Sequence, residues 1–255
     1  MRILITNDDG IHADGLAALE QIAAQLTDDV WVIAPESDQS GVAHSLSLND
    51  PLRLRKISDK RFAVKGTPTD CVIMAVRHVM AEHRPDLVLS GINRGHNVAE
   101  DVTYSGTIAG AMEGTILGIP SIALSQGYPH RDRDAIRYDY AVKEAPALIR
   151  RVLEIGIDPG ILVNINFPGV EPSEVKGVKV AVQGQRDQTA LLNIVKRGDG
   201  RGLPYYWLAF NPVQFEPKEG TDLHAVREGY ISITPLRLDL TDMPSVTRFA
   251  EAFEG

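Results

Sequence analysis

The chain has 255 residues, 44% of them hydrophobic and 24% charged, enough apolar material for one sizeable core. A formal net charge of −8 without any dense Lys/Arg run disfavours a protein that holds nucleic-acid polymers, whose affinity comes largely from neutralised phosphates. No apolar run reaches the roughly 18 residues of a membrane span, and the single cysteine, Cys71, cannot form an intramolecular disulfide, so the cytoplasm is the expected compartment.

The chain opens directly on a strand-like segment, Ile3–Thr6, with no basic stretch and apolar core of a secretory leader. Asp14–Leu26 follows with Leu16, Leu19, Ile22, Ala23 and Leu26 on one helical stripe. Val30–Ala34 and Arg61–Lys65 read as further strands. Thr67-Pro68-Thr69-Asp70 reads as a helix start, with Thr67 as cap, proline in the first turn and an acid near the positive end; that helix is expected to run to about His83, before Pro85. Asp86–Ser90 is a strand, a helix begins near Ser105 and ends before Gly118-Ile119-Pro120, and Ser121–Ser125 is a strand. Short Val/Ile/Leu-rich strands alternating with helices predict an α/β fold, Rossmann-like and doubly wound around a mostly parallel sheet.

Beyond Gly127 the pattern loosens. Tyr138–Ile155 is helical, and Leu162–Phe167, Val178–Val182, Tyr205–Phe210 and Tyr230–Thr234 are strand-like. Gly184–Gly202 is polar and glycine-bearing, and a short helix is expected after Asp242. The expectation is a single domain over residues 1–255, with a core over about 1–183 and a C-terminal extension over about 184–255. Long polar connections of this kind reach a partner subunit or cover a site.

In an open α/β sheet, ligands bind where strands end and loops enter helices. Four such loops carry oxygen-bearing side chains. After the first strand come Asn7-Asp8-Asp9-Gly10, where two adjacent carboxylates repel each other. A divalent cation relieves that conflict, and oxygen-only ligands suit Mg²⁺, Mn²⁺ or Ca²⁺. The structural alternative has Asp9 capping the next helix and Asp8 in a turn or salt bridge. The second loop offers Ser40 beside Gly41, and the fourth strand delivers Asn93 and Asn97 in a glycine-spaced loop. Ser105-Gly106-Thr107 opens a small-residue helix, with free N–H groups and a positive end suited to an anion; Gly110, Ala111 and Gly114 equally suit close packing on the sheet. A cation site beside an anion site is what phosphoryl chemistry needs.

Other chemistries lack support. There is no G-x-x-x-x-G-K-[ST], no G-x-G-x-x-G in the first strand–helix turn and no G-x-S-x-G elbow. Adjacent Asp8 and Asp9 do not match the D-x-D of aspartyl phosphatases, so attack by water is favoured over a covalent intermediate. Cys71 sits in an apolar helical stretch and reads as core. His44 and His96 lie near the loops, where a surface role outweighs donation to phosphate.

Ile3-Leu4-Ile5-Thr6-Asn7-Asp8-Asp9-Gly10, Gln39-Ser40-Gly41, Ser90-Gly91-Ile92-Asn93-Arg94-Gly95-His96-Asn97 and Tyr104-Ser105-Gly106-Thr107 together resemble the SurE (survival protein E) nucleotidases. Gly66-Thr67-Pro68-Thr69-Asp70-Cys71 and Ile231-Ser232-Ile233-Thr234-Pro235-Leu236 extend the resemblance to about Leu240. It implies one divalent cation per subunit, Mg²⁺ or Mn²⁺, held by Asp8, Asp9, Ser40 and Asn93, with Asp8 and Asp9 as the catalytic carboxylates. It also implies phosphate contacts from Asn97, Ser105, Gly106 and Thr107. The implied activity is hydrolysis of nucleoside 5′- and 3′-monophosphates, with short polyphosphate as a further substrate, in a homodimer or homotetramer whose C-terminal arms pack across subunits. The alternatives are a non-catalytic nucleotide or metal sensor and a phosphatase of other small phosphate esters.

Overall fold

The computed structural model describes residues 1–129, 135–186, 192–210 and 216–254. Its elements in chain order are β1 (Ile3–Thr6), α1 (Asp14–Ala24), β2 (Val30–Pro35), β3 (Arg53–Ser58), β4 (Arg61–Lys65), α2 (Pro68–Met74, continued by a π-turn over Ala75–Val79), β5 (Leu87–Arg94), α3 (Asp101–Tyr104), α4 (Gly106–Ile116), β6 (Ser121–Gln126), α5 (Asp139–Ile155), β7 (Ile161–Phe167), β8 (Val178–Val180), β9 (Leu192–Gly198), β10 (Pro204–Phe210), α6 (Asp222–Arg227), β11 (Ile231–Arg237) and α7 (Met243–Phe253).

The main sheet has nine strands in the order β3-β4-β2-β1-β5-β6-β7-β11-β8. From β4 to β7 every neighbouring pair is parallel; β3 pairs antiparallel with β4, β11 antiparallel with β7, and β8 runs parallel to β11. The expected doubly wound, mostly parallel sheet is present. From β1 the chain winds outward to β2 and β4, then returns to β5 on the other side and winds through β6 to β7. The order therefore reverses between β1 and β5, and the crevice above their carboxyl ends is where such sheets bind ligands.

Both faces of the sheet's centre are covered, which is why β1, β5 and β6 are buried along nearly their whole length, while the edge strands β3 and β8 are largely exposed. Ile3 and Ile5 pack with Leu16, Leu19 and Ile22 of α1 and with Ala145 and Ile149 of α5, while Leu4 packs with Cys71, Val72 and Ala75 on the opposite face. One strand thus feeds two cores through its period of two. Thr67 caps α2 in a reciprocal box with Asp70, as the sequence predicts, although regular helix ends at Met74 and the π-turn closes at Val79 rather than near His83.

The C-terminal third is more than an extension. β11 inserts between β7 and β8 in the main sheet, so residue 183 is not an edge of the core. β9 and β10 form a separate antiparallel hairpin. Within the stretch 184–202, residues 187–191 lie outside the described residues, and the remainder includes β9 rather than loop alone. No helix among the described residues is long and apolar enough to cross a membrane.

Candidate active site

Asp8 and Asp9 leave β1 at the point where the strand order reverses. Asp8 is 4% exposed, and its carboxylate meets the start of α4: the Thr107 hydroxyl donates to Oδ1 at 2.5 Å, and the Thr107 main chain adds a further hydrogen bond. Burial raises the Asp8 pKa; what pulls it down is chiefly hydrogen bonding from Thr107 rather than a positive side chain. Burial and the neighbouring Asp8 charge push Asp9 up to about 7, against a main-chain hydrogen bond and the charge of Arg94. Asp38 raises both further. Two crowded acids in a shielded crevice are a strong demand for positive charge. Asp9 does not cap α1, whose cap at Ala13 makes no side-chain hydrogen bond, and Asp8, in the bend after β1, is bound to Thr107 at the α4 entry.

The remaining sequence-predicted residues converge on this crevice to different degrees. The loop after β2 docks on the loop after β1: the Gln39 N–H donates to the Asp8 carbonyl at 2.8 Å, and a side chain at Gly10 would meet the Ser37 backbone at 3.2 Å. Ser40 is exposed at its tip, with its N–H and hydroxyl both donating to Asp38 Oδ1 at 2.7 and 2.6 Å. Because the hydroxyl donates to Asp38, the lone pairs of the Ser40 oxygen are not used in that bond. β5 runs on past Ser90 through an irregularity in its pairing with β6, so Asn93 lies inside the strand's end, not in a loop. Its amide donates to the Gly95 carbonyl at 2.9 Å, which leaves the amide oxygen as an acceptor.

Asn97 is buried, with its N–H bound to Asn166 Oδ1 at 2.8 Å and its amide donating to Ser125 at 3.0 Å. A second amide hydrogen stays available. Ser105 caps α4 by accepting from the Ile108 N–H at 3.1 Å, so its hydroxyl serves the helix as well as the site. Gly106 is where helix and carboxylate touch: a Cβ there would lie 2.7 Å from Asp8 Cβ. Thr107 spends its hydroxyl on Asp8, and its main chain hydrogen-bonds the same carboxylate.

The SurE family model, described as "Survival protein SurE", matches residues 3–190. The chain belongs to the SurE family. It is 68% identical over 255 residues to a protein of Methylorubrum populi named 5′-nucleotidase SurE, covering 100% of both chains. A protein of the same name from Methylobacterium radiotolerans is 68% identical over 253 residues, 99% of each chain. The crystal structure of the SurE protein from Aquifex aeolicus superposes with a TM-score of 0.83 at 42% identity, covering 99% of both chains. SurE-family 5′-nucleotidases require a divalent metal. Among the described residues no group of three or more His, Cys, Asp or Glu side chains is placed to hold a metal.

The donor set fits such a cation. Asp8 and Asp9 are crowded acids, and the buried Asn7 Oδ1 beside them has no hydrogen-bond partner. An acceptor left in that state is costly unless a cation or water satisfies it.

Residues absent from the sequence reading also shape this SurE site. Asp38 orients Ser40, and Asn164 and Asn166 hold the main chain of Asn97. Both asparagines are fully buried on β7, and two amides two apart in an apolar strand were the available signal. His96 is half-buried, with its ring nitrogen bound to the Phe167 carbonyl at 2.8 Å, and desolvation pushes its pKa down to about 4. His44 pairs with Glu113 on α4 at 3.0 Å.

Proposed function

We propose that this chain hydrolyses nucleoside 5′- and 3′-monophosphates to nucleoside and inorganic phosphate, with one Mg²⁺ or Mn²⁺ per subunit. The observation that carries the reading is the pair Asp8 and Asp9, shielded at the reversal of strand order and placed against the N-terminus of α4. The full-length relatives named 5′-nucleotidase SurE support the substrate class.

Asp8, Asp9, Ser40 and Asn93 would hold the cation. Bound there, it would offset charge on the phosphoryl oxygens and raise the acidity of water. Thr107 orients the Asp8 carboxylate through Oδ1, and Asp38 orients Ser40 by accepting a hydrogen bond from its hydroxyl, so that both ligands are held in place for the cation. The phosphate is cradled by the free amide hydrogen of Asn97 and by the entry to α4 at Ser105, Gly106 and Thr107, whose main-chain N–H groups and helix dipole favour negative charge. Asp9, less enclosed than Asp8, is placed to take a proton from the attacking water. Water adds to phosphorus, the P–O ester bond breaks, and the nucleoside leaves with a proton on its oxygen.

We read the β9–β10 hairpin and α7 as the contacts of a homodimer or homotetramer. Tyr206, Trp207 and Leu208 are exposed on the hairpin, and α7 has no buried residue while carrying Val246, Phe249 and Phe253 on its surface. Exposed apolar groups of this size are a usual mark of an assembly surface.

Phosphate release from a panel of 5′- and 3′-nucleotides, beside a generic aryl phosphate and short polyphosphate, tests the substrate class. Preference for nucleotides supports it; equal turnover of the aryl phosphate would replace it with a general phosphatase of small esters.

A further inference from the structure

The two halves of the phosphate cradle, Asn97 and the α4 entry at Ser105, stand at opposite ends of one short segment. The middle of that segment is held by the last third of the chain. Asp222, fully buried at the start of α6, accepts from the Ala99 N–H at 2.9 Å through Oδ2 and from the Gly184 N–H at 2.8 Å through Oδ1. The Gln183 amide donates to the Ala99 carbonyl at 2.8 Å. Arg186 adds a two-pronged pair with Asp101, at 2.8 and 2.6 Å, and its main-chain N–H donates to Glu100 at 2.9 Å.

Ala99 is the focus of this grip. Its φ is +53°, a left-handed conformation that an alanine adopts at a cost and keeps only when its surroundings impose it. Both of its main-chain polar groups are bound by residues that lie 84 and 123 positions away. A fully buried carboxylate that accepts from the strained Ala99 N–H through one oxygen and from the Gly184 N–H through the other ties the path of the segment to the C-terminal third.

We propose that Asp222, assisted by Gln183 and Arg186, is a positioning residue for phosphate capture: by holding Ala99 left-handed it sets the separation of Asn97 from Ser105–Thr107. The proposal rests on the reading of those residues as the phosphate cradle. It places part of the site's precision in the C-terminal third, in residues that hold the segment between Asn97 and Ser105. Small displacements of such groups weaken a ligand's fit steeply.

The test compares Asp222→Asn with the parent at saturating Mn²⁺, reading kcat, KM for adenosine 5′-monophosphate, the inhibition constant of inorganic phosphate, and Mn²⁺ affinity by calorimetry. In the folded variant, KM and the phosphate constant rise together about 10-fold, while kcat stays within about twofold and Mn²⁺ affinity is that of the parent. Adding Ala99→Gly to Asp222→Asn returns both constants most of the way, because glycine takes a positive φ without strain; a purely structural lesion would not be rescued so. If circular dichroism shows Asp222→Asn unfolded, Gln183→Leu is read instead, with the same paired rise at about threefold. Unchanged KM and phosphate constants in the folded variant, or a loss confined to Mn²⁺ affinity, overturn the proposal. Asn97→Ala separates the two layers. If it too leaves both constants unchanged, the cradle reading fails; if it raises them while Asp222→Asn does not, only the positioning role fails.

Discussion

Thr107→Val removes one hydroxyl and little else. That hydroxyl is fully buried and donates to Oδ1 of Asp8, itself only 4% exposed, so water cannot replace it cheaply. A hydrogen bond to a charged group is worth about 1.5–3 kcal/mol. With the bond gone, the Asp8 carboxylate, already raised by burial, is harder still to ionise, and a cation must be bound by a deprotonated ligand. At about 1.4 kcal/mol per decade, the loss corresponds to roughly 10- to 100-fold in Mn²⁺ affinity, the range found when a partner of a metal ligand is removed. Calorimetric titration of Mn²⁺ into the apo-protein reads it directly. Turnover at saturating Mn²⁺ should recover to within about threefold of the parent, and Thr107→Ser should restore most of the affinity. The reasoning is falsified if folded Thr107→Val binds Mn²⁺ as tightly as the parent.

Three further outcomes follow from the same geometry. Gly106→Ala places a methyl group 2.7 Å from Asp8 Cβ, and overpacking of that kind costs about 1–3 kcal/mol; thermal unfolding should drop by several degrees, with turnover falling far more than stability. His96 links stability to pH. Its pKa is about 4 in the fold against 6.5 ordinarily, so the unfolded chain binds the extra proton first, and stability present above pH 6.5 is lost as pH falls through 4. The loss reaches about 3 kcal/mol at most, and urea unfolding of His96→Gln between pH 7 and 4.5 should show a shallower decline than the parent. Cys71, fully buried with its thiol pKa raised by burial, should resist thiol reagents in the native protein and react promptly in denaturant.

Much of the architecture was legible because both faces of the sheet are covered. β1, β2, β5, β6 and β7 are apolar runs, and α1 shows its stripe in Leu16, Leu19 and Ile22. β3 was missed because Arg53-Leu54-Arg55-Lys56-Ile57-Ser58 is an edge strand whose charges face solvent, the composition that keeps edges from pairing with other chains. β9 was hidden for a similar reason, since Lys196 and Arg197 made a hairpin strand read as polar loop. The short helices α3 and α6 carry too few turns to show a period.

For the site, Asp8 and Asp9 drew attention because they stand at the end of β1, where a parallel sheet puts its ligands, and Asn93 because it lies at the end of β5, whereas Ser40 sits in the loop beyond β2 and stood out only through the family resemblance. Their supports were not legible. Asn166 meets Asn97 across 69 positions and Asp222 meets Ala99 across 123, and no local pattern marks such pairs. Thr107 was assigned to phosphate by its place at a helix entry, whereas its hydroxyl serves Asp8; helix-entry chemistry names a donor without saying which of two nearby anions receives it.

The central claim, that crowded Asp8 and Asp9 form a cation site for phosphate ester hydrolysis, is tested most directly by Asp8→Ala. Phosphate release from adenosine 5′-monophosphate would be followed for parent and variant across Mg²⁺ and Mn²⁺ concentrations and in excess chelator, with folding checked by circular dichroism. The account predicts release by the parent only with metal, and none above background from the folded variant at any metal concentration. Undiminished release by Asp8→Ala at saturating metal, or no release by folded parent under either metal, would contradict it.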